Sequence, residues 1–317
     1  MEEKNNLKIF SAPIQGLTEL PWRRFHHDIY GDGITSYFTP FLRVERGEVR
    51  RRDVRDLGSE MNVGVPLIPQ IIFRNLEEFE MLCDTVKASG FDHVDLNMGC
   101  PFPPQVHHGR GAGLIANVAL LGEVASLMKD KYSDLTFSIK MRLGVDDPEQ
   151  WRDAMPVITG MPLSHLSVHP RTARQQYSGE LWLDEFSRLL DSTDHHVVFN
   201  GDLLAPEDID RVYSRFPALY GVMIGRGLFS RPSMVAEWLA GEEWTPSRRM
   251  QEILRLHALV YAHYKETLSG DAQVLGKIAP FWEYLAPDLD KKAYKGIKKA
   301  SSLRKYDDAV SMIINNR

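Results

Sequence analysis

The chain has 317 residues, 43% of them apolar, and a formal net charge of −5. That is enough apolar material for a sizeable core and as many as two domains, and the acidic total excludes a uniformly basic protein while leaving room for a local basic patch. Two cysteines exclude a disulfide scaffold, no stretch approaches the roughly 20 apolar residues of a membrane helix, and the polar start Met1–Asn6 carries no apolar signal core. A soluble, cytoplasmic protein is expected.

Short apolar, β-rich runs recur at Lys8–Ser11, Ile34–Thr39, Val65–Ile72, His93–Asn97, Phe137–Arg142, His165–His169, His196–Asn200 and Gly221–Ile224. Helical stretches separate most of them. Leu76–Ala88 puts Leu76, Phe79, Leu82, Cys83 and Val86 on one face, Val118–Lys131 repeats the pattern, and Ala205-Pro206-Glu207-Asp208 has the Pro and acids of a first helical turn. After the second run, Arg43–Asp56 is too charged and too weakly periodic for a helix and reads mostly as loop. Eight alternations close most simply into an α/β fold of the (β/α)8 barrel type. From Thr245-Pro246 onward only helical spacing remains. Two domains are therefore expected: a barrel over 1–243 and a small all-helical domain over 244–317, whose last helices lie around Lys291–Ser301 and Asp307–Ile314.

Function in such barrels gathers at the C-terminal ends of the strands. There stand Ser11-Ala12-Pro13, Gln70, Asn97 with Cys100, Lys140 with Arg142, His169 with Arg171, Asn200-Gly201-Asp202 and Gly225-Arg226-Gly227. Cys100 follows Asn97 in Asn-Met-Gly-Cys-Pro, where Gly99 and Pro101 break the strand. The thiol could be an inert core residue, a nucleophile lowered by a histidine such as His169, or a general acid, since an ordinary thiol with pKa about 8.5 is mostly protonated at neutral pH. A metal site is not expected: Cys83 sits on an apolar helix face, and the adjacent pair His107-His108 is a poor zinc pattern. Lys140 lies inside a strand, where an unpaired charge is costly unless it faces an anion. The loops after strands seven and eight are where barrels most often hold a phosphate. Asn200-Gly201-Asp202 and Gly225-Arg226 offer backbone N–H groups and a guanidinium there. With Lys140 and Gln70 reaching inward, this suits a phosphorylated cofactor such as FMN.

These pieces resemble the tRNA-dihydrouridine synthases. The matching segments are Ala12-Pro13-Ile14-Gln15-Gly16-Leu17-Thr18 with Arg23, Asn97-Met98-Gly99-Cys100-Pro101, Gly111-Ala112-Gly113-Leu114, Lys140-Met141-Arg142-Leu143-Gly144, His169-Pro170-Arg171-Thr172, Asn200-Gly201-Asp202 and Gly225-Arg226-Gly227. They run in family order across the barrel. The resemblance implies an FMN barrel that reduces the C5–C6 bond of a D-loop uridine in tRNA with NADPH. Hydride would go to C6 and a proton from Cys100 to C5. It further implies that Gln70, Lys140, His169 and the backbone around Pro13 and Ile14 contact the flavin, that Asn200, Gly201, Asp202, Gly225 and Arg226 hold its phosphate, and that Asn97, Arg142 and Arg171 face the uracil. The alternatives are an FMN barrel acting on a small molecule and a non-catalytic RNA-binding protein on the same scaffold.

A tRNA partner needs a surface, and no acid falls between Lys291 and Lys305. Lys291, Lys292, Lys295, Lys298 and Lys299, with Arg304 and Lys305, are the expected phosphate contacts. Arg43, Arg46, Arg50, Arg51, Arg52 and Arg55 form a second cluster, diluted by Glu45, Glu48 and Asp53. No membrane and no protein partner are called for, and a monomer is expected. The chain departs from the family at Ile14 (usually Met), Glu19 (usually Asp) and Trp22 (usually Phe). It departs more at Phe102–His108, where prolines replace a basic residue in a loop expected over the active site.

Overall fold

The computed structural model describes residues 7–315; the polar start Met1–Asn6 lies outside them. Nine parallel segments form one sheet. Two of them, Leu67–Ile68 and Gln70–Ile71, are halves of a single strand interrupted at Pro69, whose ring nitrogen has no N–H to give to a ladder. The first half pairs with the second strand, Ser36–Phe38, and the other half with the fourth, His93–Met98. The first strand, Lys8–Ser11, pairs with the eighth, Gly221–Ile224. The sheet therefore closes into an eight-stranded parallel barrel. The remaining strands are Thr136–Gly144, Leu163–Thr172 and Val197–Asn200.

Strand alternation sorts side chains between two cores. Val94, Leu96, Met98, Phe137, Ile139, Met141, Leu166, Val168, Phe199, Val222 and Ile224 point outward into the large apolar cluster under the helices. Phe10, Ala12, Phe38, Ile68, Val198 and Met223 fill one side of the interior. The other side is polar: Asp95, Asn97, Ser138, Arg142, His165, Ser167 and His169 are all buried. The inward face of strands four to six is thus the polar arc of the interior, extended at its cleft end by Gln70 of the third strand and Asn200 of the seventh.

The helices begin where their caps direct. The Asn75 side chain accepts from Glu78 N at 2.9 Å and opens Leu76–Ala88 (α3); Asn117 does the same for Val118–Asp130 (α5). Arg43–Asp56 corrects the sequence expectation. It holds a small hairpin, Val44–Glu45 with Glu48–Val49, and a helix, Arg51–Leu57 (α2). Only Leu57 of that helix is buried, so no apolar stripe marks it. Ion pairs to distant partners hold it instead: Arg23 to Asp56 at 2.6 Å, and Arg52 to Glu19.

Beyond the barrel come Pro246–Thr267 (α11), Asp271–Ile278 (α12), Lys291–Lys299 (α13) and Leu303–Asn315 (α14). Thr245 caps α11 and Pro246 occupies its first turn. Inside, Trp282 Nε1 donates to the Tyr306 hydroxyl at 2.8 Å, and that hydroxyl meets His257 Nε2 at 2.7 Å. Burial lowers the His257 pKa to about 3, so the ring is neutral and accepts the Tyr306 proton. The buried apolar residues of the barrel and of this extension form one continuous cluster. No single helix among the described residues is long and apolar enough to cross a membrane.

Candidate active site

A cleft of about 850 Å³, counting its open mouth, lies at the C-terminal ends of the strands. Its lining includes Pro13, Ile14, Gln70, Asn97, Cys100, Lys140, Arg142, His169, Asn200, Gly201, Asp202, Gly225 and Arg226. With Pro40 and Phe41 after the second strand, all eight strand ends are represented, which is why these residues are scattered in sequence and adjacent in space. Three cationic side chains, Lys140, Arg142 and Arg226, face it against one carboxylate, Asp202.

Cys100 is fixed by its neighbours. The Asn97 side-chain oxygen accepts from Cys100 N at 2.9 Å and from Gly99 N at 3.2 Å. Asn97 Nδ2 donates to Gln70 Oε1 at 2.7 Å, and Gln70 Nε2 donates to Asp95 Oδ2 at 2.7 Å. Asp95 also accepts from Ser138 Oγ at 2.6 Å. On the far side, Ala112 N donates to the Cys100 carbonyl at 3.1 Å. The turn there needs Gly111 (φ +58): a Cβ would stand 2.8 Å from the Cys100 Cβ. Burial raises the Cys100 pKa, opposed by the Phe102 backbone and by Arg142 and Lys140, so the group is a thiol rather than a thiolate at neutral pH.

Lys140 makes no hydrogen bond or ion pair through its ammonium among the described residues. Burial, and then Arg142, lower its pKa to about 8. Arg142 donates to the Gly99 carbonyl at 3.0 Å and to the Thr172 carbonyl at 3.0 Å, bracing the Cys100 turn from the fifth strand. Burial, and then the cations Arg142, Lys140, Arg171 and Arg226, hold His169 well below its usual pKa. Its ring is neutral, and Arg171 Nη1, which can only donate, lies 3.4 Å from its Nε2, which leaves the proton on Nδ1.

Arg171 is not in the cleft wall. Its guanidinium grips Asp202 through both oxygens and the Gly179 carbonyl, so it stands behind the Asp202 loop rather than facing the cleft, where the expected uracil contact would lie. Arg226 binds the same carboxylate at 2.7 Å. The Asn200 amide ties strand seven to strand eight through the Met223 carbonyl at 2.7 Å. Ile14 closes its own turn, donating to Thr18 Oγ1 at 2.9 Å.

Among the residues of the site that escaped the sequence, beside apolar lining such as Phe41 and Leu203, two are polar. Tyr177, 53% exposed, overhangs the cleft from the loop after strand six, with the Arg142 and Arg226 guanidinium carbons 5.4 and 5.0 Å from its ring centre; nothing in that loop's composition marks it. Asp95 was within reach of a period-two argument, since it lies two residues before Asn97 on the same strand face.

The five predicted lysines are exposed on α13. Lys292, Lys295 and Lys299 converge with Lys305 on a groove between α13 and α14, floored by Gly296, Ala300, Ala309 and Met312. The helices approach closely there, because a Cβ on Gly296 would lie 2.9 Å from that of Ala309. Lys298 turns instead toward the Tyr294 ring, 5.7 Å away, and Lys291 does not line the groove. In the second basic cluster, Arg43, Arg50 and Arg52 are ion-paired with Glu45, Asp53 and Glu19. The departing segment after Cys100 forms a short helix, Pro103–His107, with Phe102 exposed before it.

Comparison with known proteins gives one family. The dihydrouridine synthase profile matches residues 10–311. Similar proteins include a probable tRNA-dihydrouridine synthase 2 of Bacillus subtilis, 28% identical across 75% of this chain and 70% of its own, and a probable tRNA-dihydrouridine synthase of Staphylococcus epidermidis, 26% identical across 92% and 86%. Among solved structures, the old yellow enzyme from Trypanosoma cruzi superposes with a TM-score of 0.52 at 10% identity, covering 75% of this chain and 89% of that one. Morphinone reductase superposes at 0.54 and 10% identity, over 76% and 88%. At such identities the likeness is one of fold.

Proposed function

The chain belongs to the dihydrouridine synthase family, and from that premise we propose that it reduces the C5–C6 bond of a D-loop uridine in tRNA, using FMN and NADPH. The observation that carries the reading is the pairing in one cleft of a thiol kept protonated by burial with an unpartnered lysine. A phosphorylated flavin fits the residues present. Lys140 is a half-buried cation whose ammonium has no hydrogen-bonded or ion-paired carboxylate among the described residues, Asp95 acting on it only at longer range, and the loops at Asn200–Asp202 and Gly225–Arg226 offer a guanidinium and backbone N–H groups for a phosphate. In this reading Gln70, His169 and the Pro13–Ile14 backbone line the ring site.

A reduced flavin held by these residues would be the source of the hydride for uracil C6. Negative charge then develops toward C5 and O4, and Cys100 delivers the proton to C5; the resulting thiolate recovers a proton from water. Lys140 and Arg142 oppose the developing charge in a site with little water to screen it. Asn97 and Arg142 border the base. Arg171 contributes by holding Asp202. The base must leave the stack to reach this depth, and Tyr177 overhangs the entrance.

The barrel, 1–243, carries the chemistry in this proposal, and the helical part, 244–317, carries tRNA contact through the groove lysines Lys292, Lys295 and Lys299, with Lys291 and Lys298 at its margins. An enzyme for small molecules has no use for such a basic groove. The reading needs no second protein chain, so a monomer suffices, and it puts the enzyme with its tRNA in the cytoplasm. The test is mapping of dihydrouridine by mass spectrometry in tRNA from cells with and without the gene, together with the colour of the purified protein. A colourless preparation that takes up no FMN, or identical tRNA from both cells, overturns it.

A further inference from the structure

We propose that Asp95, one layer below the cleft, is a positioning residue that sets the direction of the hydrogen-bond chain holding Cys100. The inference rests on the proposed function for its catalytic consequence, not for its geometry.

The argument is one of donor and acceptor order. A primary amide is nearly symmetric in shape, so Gln70 and Asn97 each fit their sites in two orientations, and only their neighbours choose between them. Burial raises the Asp95 pKa to about 6, so at neutral pH its carboxylate, held at the end of the chain, is ionised and can only accept. Asp95 therefore demands the NH2 group of Gln70, which it receives at 2.7 Å. The Gln70 oxygen is then turned toward Asn97 and demands its NH2 group, again at 2.7 Å. That leaves the Asn97 oxygen facing the two backbone N–H groups of Gly99 and Cys100. Reversing any amide would set oxygen against the Asp95 carboxylate, or NH2 against backbone N–H, in a buried place where neither clash is relieved by water.

The lower end is anchored too. The second Asp95 oxygen accepts from Ser138 Oγ, and that hydroxyl, having given its proton, must accept from His93 Nε2 at 3.2 Å. Asp95 is fully buried and, unlike Gln70, does not line the cleft, so its carboxylate touches no ligand there. Strand register brings Gln70 opposite Asp95 and Asp95 opposite Ser138, so the chain runs across three strands before it reaches the catalytic turn.

The test uses two readouts. The first is alkylation of Cys100 by iodoacetamide at fixed pH, which needs neither flavin nor tRNA; Cys83, with no exposed surface, is the unreactive internal control. The second is stopped-flow flavin kinetics of the holoenzyme, with NADPH-driven reduction and tRNA-driven reoxidation measured separately. Asp95→Ala is the main variant, and Asp95→Leu fills the volume if the cavity unfolds the barrel. The expected result is a changed alkylation rate, reoxidation slowed at least about tenfold, and reduction within about twofold of the parent. Asp95→Asn should recover most of the loss, because its oxygen can still accept from Gln70 while its NH2 turns to Ser138. Unchanged alkylation in a folded variant overturns the proposal, and so does equal slowing of both half-reactions. If the parent protein forms no dihydrouridine, the functional reading fails while the alkylation result still decides the role of Asp95.

Discussion

The ammonium of Lys277, on α12, lies 2.5 Å from the carboxylate of Glu19 at the start of the first barrel helix. Tyr264 of α11 donates to the other Glu19 oxygen at 3.2 Å, and Arg52 of α2 binds the same oxygen as Lys277. One nearly buried carboxylate thus joins the first two barrel loops to the helical extension. Glu19→Ala would leave two cations and a hydroxyl around an empty site. It should cost about 2 kcal/mol of stability, read as a lowered urea midpoint with the slope checked for loss of two-state behaviour.

Cys100→Ala should keep its flavin and its NADPH oxidation and lose dihydrouridine formation by about two orders of magnitude or more. Parallel measurement of both half-reactions checks this. Uridine reduction at the parent rate would remove the thiol from the mechanism.

Gly111→Ala should resemble Cys100→Ala without touching the thiol. The added methyl meets the Cys100 Cβ at 2.8 Å at a backbone angle that disfavours side chains. Flavin content should persist while tRNA-driven reoxidation slows, since the displaced group is the proton donor alone.

Lys140 loses its charge near pH 8 rather than 10.5 because burial and Arg142 disfavour the ammonium. An anionic cofactor binds the protonated form, so FMN affinity should be flat below about pH 8 and fall above it, by up to tenfold per pH unit. The cofactor-free protein should show the opposite trend from this group: between about 8 and 10.5 the unfolded chain holds the extra proton, so the Lys140 contribution to stability rises with pH. Lys140→Met should abolish both dependences. Flavin fluorescence titrations and urea melts across pH 7–10 report them.

Replacing Lys292, Lys295 and Lys299 together by Glu should weaken tRNA binding and reduce the salt slope by about one for each phosphate no longer neutralised. Flavin binding and NADPH oxidation should be unaffected, because the groove belongs to α13 and α14. Filter binding at several salt concentrations distinguishes this from a folding defect.

The barrel was legible because its strands are buried on both faces and read as apolar runs between helical stretches. The helix Arg51–Leu57 was not, because ion pairs to Glu19 and Arg23, more than two dozen residues earlier in sequence, stabilise it instead of an apolar stripe. The strand-end polar residues were legible as a set, and their partners were not. Arg171 and Arg226 share Asp202, and Gln70 spans from Asp95 to Asn97; such pairings depend on register around a closed barrel, which no local pattern encodes. The lysines of α13 were visible as a charge run, but only its packing against α14 separates the three that face the groove from the two that do not.

The interruption at Pro69 gives the barrel a seam. Each half of that strand is laddered to its neighbouring strand over two residues, the second half adding a single bridge to Leu42, and Gln70 is the first residue beyond the break. Thermal breathing of a closed cylinder begins where its wall is thinnest. One such place, at Pro69, adjoins the amide that keeps Asn97 and the Cys100 turn in register. Amides flanking residue 69 should therefore exchange with solvent before those of the fifth and sixth strands, and the readiness of the thiol would track that local opening rather than the global melting of the fold.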